Sequence, residues 1–559
     1  MTNVGRHYTR TVTLANAYPE TILINSKIIT MDPLRPQVSA LAVRAGRVVA
    51  LGSDNELRAL GRDGTRVIDA GGKLALPGFQ DTHIHLQDSG RDYALTADLD
   101  GARTVVELQA VLRSFADRHG GAWVNGTGWY TGIFTEHNLT RAVLDAAVAD
   151  RPVYILASDG HNAVLNTKAC EAVGLARVTQ DPANGHFVRD AGGIPTGMLH
   201  EDAIGWARER MPQPADAAYA AGVRYAQALC NRHGITGVLD ASVNERHMHV
   251  YGRLEQAQEL TVRVCATAKI LPEETTEAAL ARVKQMRRQY ASEMLFVHSA
   301  KFFLDGVLEN RTAAMLEDYS DALGGNAPLM FGANQVKDLF CAFDAARFQI
   351  HVHVIGDGAA RAALDALETA RLVNGKRPGL HQLAHVQCLD PADIPRFGEL
   401  GVVANIQPLW ARHEPSVSDV ALPMVGEARG KWMYAFRSLL DAGAPYALSS
   451  DWGVSTLNPF PIMQTAITRQ PPHMGKDHPV FLPGQRMTLD ECVKGYTVNA
   501  AAAAWRGKDT GSLSLGKFAD LIILDRDIFA IDPYEIADTQ VELTLLGGKE
   551  VYRSDDFRG

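Results

Sequence analysis

Pro77-Gly78-Phe79-Gln80-Asp81-Thr82-His83-Ile84-His85 ends an apolar stretch near the start of a 559-residue chain. Side chains alternate along a strand with period two, so a strand here turns His83 and His85 to one side. Two imidazoles side by side at a strand end can clamp one divalent metal ion. The pair by itself is weak evidence, because two histidines two apart are common on surfaces and in satisfied cores. Its surroundings decide its meaning.

Downstream, short apolar runs alternate with helical stretches. Strands are expected at 79–85, 235–241, 262–268, 296–304, 349–355, 380–386, 402–406 and 446–451. Eight strands with helices between them predict an α/β fold, a (β/α)8 TIM-like barrel over 78–505. The gap from 86 to 234 is too long for one crossover. An insertion at about 88–230 is therefore expected after strand one, over the C-terminal mouth. From Thr21 to Ala70 the pattern is short strands punctuated by Gly46 and Gly52. The far end matches, with a strand over 519–524 and a hairpin from Val541 to Tyr552 through Gly547-Gly548. Segments 21–77 and 506–559 are expected to close into one small β-sandwich. Residues 1–20 read as a polar tail.

Composition narrows the function. Lys plus Arg is 55 and Asp plus Glu is 64, a net charge of −9. That balance argues against nucleic-acid or anionic-membrane partners and leaves a small-molecule substrate. No apolar run approaches the roughly 20 residues of a membrane span, and the first residues do not read as a secretory signal. Six scattered cysteines, without paired spacing, suit a reduced cytoplasmic setting and give no cysteine-based zinc site. Homo-oligomer formation is left open.

The expected strand ends carry metal-ligand residue types in order. Strand one gives His83 and His85. Strand four holds Lys301 inside an apolar run, strands five and six give His353 and His385, and strand eight ends in Asp451. In such barrels the active site lies at the C-terminal strand ends. An ordered set of this kind is far more specific than any one member.

The set resembles the metal-dependent amidohydrolase superfamily, and within it the long-chain branch that includes N-substituted formamide deformylases. The resemblance runs over roughly residues 21–552. It is carried by Leu76 to His85, by Leu304-Asp305-Gly306-Val307, by His353-Val354-Ile355-Gly356-Asp357, and by Gly511-Ser512-Leu513-Ser514-Leu515-Gly516-Lys517-Phe518-Ala519-Asp520. It implies that His83, His85, Lys301, His353, His385 and Asp451 hold one or two divalent ions, with zinc expected. It also implies that Lys301 is carboxylated and bridges two metals.

Residue chemistry agrees with that reading. Imidazoles and carboxylates suit zinc and related ions. A Lys301 ammonium would repel a cation, so it fits a metal site only as a carbamate; otherwise it pairs with Asp305. Asp451 can touch a metal and carry a proton from the activated water to the leaving nitrogen; otherwise it caps a helix. His351 and His381 share the faces of His353 and His385 and read as inner-layer or supporting residues. His298 is out of phase with Lys301 and should face the helices. His247 and His249 are expected on a surface helix. Trp129, Tyr130, His161, Asn162, Arg311 and Trp452 are candidates for the substrate pocket, although each aromatic could be ordinary core and Arg311 could pair with Glu309 or Glu317.

The function expected is hydrolysis of an amide-type C–N bond, in a formamide or other N-acyl amine, by metal-activated water. The alternative on the same barrel is a deaminase of a nitrogen heterocycle, which usually runs on one metal and needs no lysine ligand. A third is a non-catalytic structural homologue, against which the intact ligand set counts.

Overall fold

Eight parallel strands form one sheet that curls into a nearly closed barrel. They are β1 (Phe79–Ile84), β2 (Ile235–Val243), β3 (Arg263–Lys269), β4 (Leu295–Phe303), β5 (Gln349–Val354), β6 (Gln382–His385), β7 (Val403–Ile406) and β8 (Tyr446–Leu448). Each pairs in parallel with its sequence neighbour. The two ends of the sheet meet where the Asp451 N–H donates to the His83 carbonyl at 2.8 Å and Thr82 Oγ1 donates to the Leu448 carbonyl at 3.1 Å. The computed structural model describes residues 18–559 apart from 131–132, 158–161, 179, 183–184 and 310. Most of the expected 1–20 tail lies outside them.

The pleat sorts side chains between the barrel interior and its helical jacket. On β4, Phe302 packs edge-on against Phe340 and Phe343 of the helix Ala333–Ala345. The neighbouring Lys301 therefore faces inward. The helix Asp357–Asn374 buries Ala359, Ala360, Ala363, Leu364, Leu367 and Ala370, a spacing that gives one apolar face. His298, in phase with Phe302, lies between Phe296 and Trp505 on the outer side, as its phase requires.

Both chain ends contribute to a six-stranded sheet, ordered Lys549–Arg553, Val541–Leu546, Leu521–Leu524, Leu74–Pro77, Lys27–Ile29 and Gln37–Val38. A second sheet of four strands runs Arg47–Gly52, Ala40–Arg44, Thr21–Ile24 and Arg66–Asp69. One apolar cluster draws on both, with Leu23, Leu41 and Ile68 beside Ala75, Ile523 and Leu543. The hairpin turns on Gly547 and Gly548, both at positive φ (54° and 72°), the conformation a two-residue turn demands. A buried bidentate pair ties this sheet to the barrel: Arg263 of β3 donates to Asp520 at 2.8 and 3.0 Å. The strand Leu74–Pro77 leads straight into β1 through Gly78, where a Cβ would lie 2.4 Å from the Thr236 side chain. Only glycine lets β1 seat against β2 there.

The chain divides into two compact units, residues 1–84, 228–248 and 260–559 in one and 85–227 with 249–259 in the other. The second unit has its own six-stranded sheet, ordered Gly185–Arg189, Pro195–Glu201, Asn162–Leu165, Val153–Ala157, Val124–Trp129 and Thr96–Asp98. Among the described residues, no helix is long and apolar enough to cross a membrane.

Candidate metal centre

Three histidines of the barrel meet ring to ring. His83 and His385 have centroids 4.9 Å apart, and His353 and His385 4.5 Å apart. Each has Nδ1 engaged. His353 Nδ1 donates to Asp305 Oδ1 at 3.2 Å, and His385 Nδ1 donates to Gln407 Oε1 at 3.1 Å. His83 Nδ1 lies 2.8 Å from His351 Nε2. A histidine held through one nitrogen presents the other to a metal, and such partners fix both tautomer and orientation. A ligand role for any of the three would therefore fall to Nε2.

Lys301 and Asp451 complete the group. Lys301 Nζ is 3.3 Å from His83 Nε2, and Asp451 Oδ1 is 3.4 Å from the same atom. His83, His85 and Asp451 each offer a ligand atom within 4.8 Å of the others. An imidazole nitrogen and a carboxylate oxygen converging in a buried place are two electron-rich atoms that a cation would join. The donor set thus fits a divalent ion.

Burial sets the charge states. Lys301 has no exposed surface, and desolvation pulls its pKa down to about 7, opposed by attraction to Asp451. A good part of the amine is therefore neutral near pH 7. Burial, together with His353, Lys301 and His351, holds His385 well below the usual histidine range, so its ring stays neutral. Beneath His83, burial pushes Asp81 up to about 7 against hydrogen bonds from Ser450 and His83. Asp81 accepts from the His83 N–H at 3.1 Å and the Ser450 N–H at 3.2 Å, linking β1 to the segment after β8.

A polar ladder supports the histidines from inside the barrel. Gln407 Nε2 donates to Ser449 Oγ at 2.7 Å and to Asn405 Oδ1 at 3.1 Å. Asn405 Nδ2 donates to Gln382 Oε1 at 2.8 Å, and Gln382 Nε2 to Gln349 Oε1 at 2.8 Å. These amides fall on inward positions of β5, β6 and β7 and just beyond. In the sequence they read as isolated polar residues in apolar runs, the one signal that could have found them.

The structure corrects several expectations. His85 is not on the strand; β1 ends at Ile84, and His85 sits at the N-cap of the helix Leu86–Leu95 with φ −105° and ψ 63°. Lys301 does not pair with Asp305. That buried carboxylate serves His353 and accepts from the N–H groups of Ile355 (3.1 Å), Gly356 (2.8 Å) and Ala314 (3.1 Å). His381 precedes β6 and contacts Asp344 Oδ1 at 3.1 Å, at the opposite strand end from His385. His247 is buried, because it shares a helix face with Tyr251 and Leu254; His249 is exposed beside Asp216.

The pocket candidates scatter. Trp129 is 1% exposed within the apolar core of the second unit, against Phe134. The Tyr130 hydroxyl donates to Asp100. Asn162 contacts His200, and His161 lies outside the described residues. Arg311 pairs with Asp321 at 2.6 Å, not with Glu309 or Glu317. Trp452 is buried beside Asp451. Two aromatics not singled out from the sequence do flank the histidines. Trp410 stacks on His385 at 5.7 Å, and Phe303 lies 5.5 Å from His353.

Asp305 makes a direct test of this framework. Asp305→Ala should destabilise the protein by about 3–5 kcal/mol, since three backbone donors and His353 lose a buried charged acceptor. A loss of that size in the unfolding free energy from urea titration, seen as a lower midpoint at unchanged m-value, would be the signature; a change under about 0.5 kcal/mol would remove Asp305 from the framework.

A parallel barrel with histidines, a lysine and an aspartate gathered at its strand ends defines a metal-dependent hydrolase. The chain belongs to the amidohydrolase family, whose model matches residues 66–552. It is 30% identical over 96% of its length to Protein LONG AFTER FAR-RED 3 of Arabidopsis thaliana, 92% of which is covered. It is 26% identical over 94% of its length to the N-substituted formamide deformylase of Arthrobacter pascens, 97% of which is covered. An uncharacterized metal-dependent hydrolase from Pyrococcus horikoshii superposes with a TM-score of 0.76 at 26% identity, covering 92% of this chain and 99% of that one.

Proposed function

We propose that this enzyme hydrolyses an amide-type C–N bond in a formamide or other N-acyl amine, with His83, His85, His353, His385, Asp451 and a carboxylated Lys301 holding one or two divalent ions, zinc first among them. The observation that carries the reading is the convergence of these side chains with Nδ1 of the three barrel histidines already engaged. Bound ions would polarise the scissile carbonyl and bring the pKa of a water molecule toward neutrality.

The protein's own groups do the rest. Asp451, placed against His83 Nε2, takes the proton released by the attacking water and delivers it to the leaving nitrogen. Lys301, largely desolvated and partly neutral, adds carbon dioxide at Nζ, forming a carbamate and releasing a proton. The ammonium's repulsion of a cation is thereby replaced by a carboxylate's attraction. Trp410 and Phe303 provide aromatic walls beside His385 and His353 for an apolar N-substituent. The position of Lys301 favours this reading over a one-metal heterocycle deaminase, in which the lysine has no task. The deformylase relative supports the formamide class.

Exhaustive dialysis against a chelator should abolish turnover of N-substituted formamides, and added zinc should restore it. Full turnover in metal-stripped protein would sink the assignment. Turnover confined to cyclic amidines or aminoheterocycles would move it to the deaminase.

A further inference from the structure

A second group of ligand-type side chains lies in the unit built on residues 85–227. His186 and His200 sit directly opposite one another on the antiparallel strands Gly185–Arg189 and Pro195–Glu201. Their ring centroids are 4.6 Å apart. Glu136 reaches the pair from the loop before the helix Arg141–Ala147, with Oε1 2.9 Å from His200 Nε2. One ligand atom from each of the three lies within 4.8 Å of the others.

The loop is held in place before any ligand arrives. Phe134 and Leu139 anchor it in the apolar core on either side of Glu136. The Asn138 side chain accepts from the Thr135 N–H at 2.7 Å and donates to the Ile133 carbonyl at 2.9 Å. Glu136 and His186 are exposed and His200 is half-buried, so an ion has access.

His200 is the informative member. Its Nδ1 is hydrogen-bonded to Asn162 Oδ1 while its Nε2 faces a carboxylate oxygen. A neutral imidazole has one N–H and can donate to only one of two acceptors. Both ring nitrogens thus face oxygen atoms, and a cation seated between Nε2 and the Glu136 carboxylate would be shared by the two. The oriented Nδ1–H is also the support that metal-binding histidines use.

We propose that Glu136, His186 and His200 bind one divalent ion of the zinc type, clamping the loop to the hairpin. Two imidazoles and one carboxylate suit that class and leave a fourth position for solvent. A tetrahedral ion would set the three ligand atoms roughly 3.4 Å apart, and they already lie within 4.8 Å of one another. None of the barrel ligands takes part, so the site stands or falls apart from the proposed hydrolysis.

The test compares full-length wild type with H186A/H200A and with E136Q. Each is dialysed against micromolar zinc and analysed for bound metal per chain. The wild type should hold one ion more than H186A/H200A, and E136Q should weaken that ion by at least about tenfold. Zinc should raise the thermal unfolding temperature of wild type more than that of either variant, while turnover stays at the wild-type level in all three. Should the double variant fail to fold, E136Q and H186N carry the comparison. Equal zinc content in wild type and folded variants would overturn the proposal and leave a metal-free His200–Glu136 contact.

Discussion

Asp451→Asn is expected to leave a folded, largely metallated protein whose kcat has dropped by about 10²–10⁴, the usual effect of removing a general base. The amide keeps the size of the carboxylate and the Asp451 N–H bond to the His83 carbonyl that joins β1 to the end of β8. It cannot accept a proton at neutral pH. Thermal unfolding and metal content separate this outcome from simple structural damage. A variant retaining metal and near-normal kcat would mean that another group moves the proton. His381 is no candidate for that role, since it lies at the far end of β6 against Asp344.

Lys301→Ala is the second large effect. The proposed carbamate gives Lys301 a carboxylate where the free amine offers none, so the variant should lose at least one ion per chain and most of its turnover. Short carboxylic acids should then restore part of the activity by filling the space. Wild-type metal content and rate in Lys301→Ala would reduce the lysine to a packing role. A pH signature accompanies it in metal-free protein. Burial holds the folded-state pKa at about 7, below the ordinary 10.5. Between those values the unfolded chain binds the extra proton, so stability rises with pH across that window and levels off at its lower value below about 7, where both states are protonated. Lys301→Met, similar in volume and uncharged, should flatten this dependence in denaturant titrations at pH 6 to 10.

The inward-facing side chains were largely legible because they ride on strands, and strands have a period. Lys301 faces the interior because Phe302 must face the helices. His351 and His353 share the inward face of β5 for the same reason. All eight barrel strands answer to runs of apolar residues visible in the sequence, with ends shifted by a few positions. The candidates that went astray are those with no period to guide them. Trp129 is an aromatic in an insertion, and burial in the nearest apolar core outweighed exposure in a pocket. Arg311 found Asp321, ten residues on, a partner that loop sequence does not specify.

The sequence by itself determined the parallel barrel, its order of strands and the kinds of atom at their ends, because hydrophobic periodicity and residue chemistry are local properties. The tertiary structure alone decided how those atoms meet. His385 pairs in register with Val354, whose phase points outward. Yet His385 adopts φ 76°, and that left-handed turn swings its ring to within 4.5 Å of His353. Asp451 likewise takes φ 54° just beyond β8. Such conformations cost L-residues about 1–3 kcal/mol and persist only where surrounding contacts over-determine them. Here Gln407, just after β7, holds the His385 ring, and the His83 carbonyl holds the Asp451 N–H. Both contacts join residues far apart in the chain, so no reading of local pattern contains them.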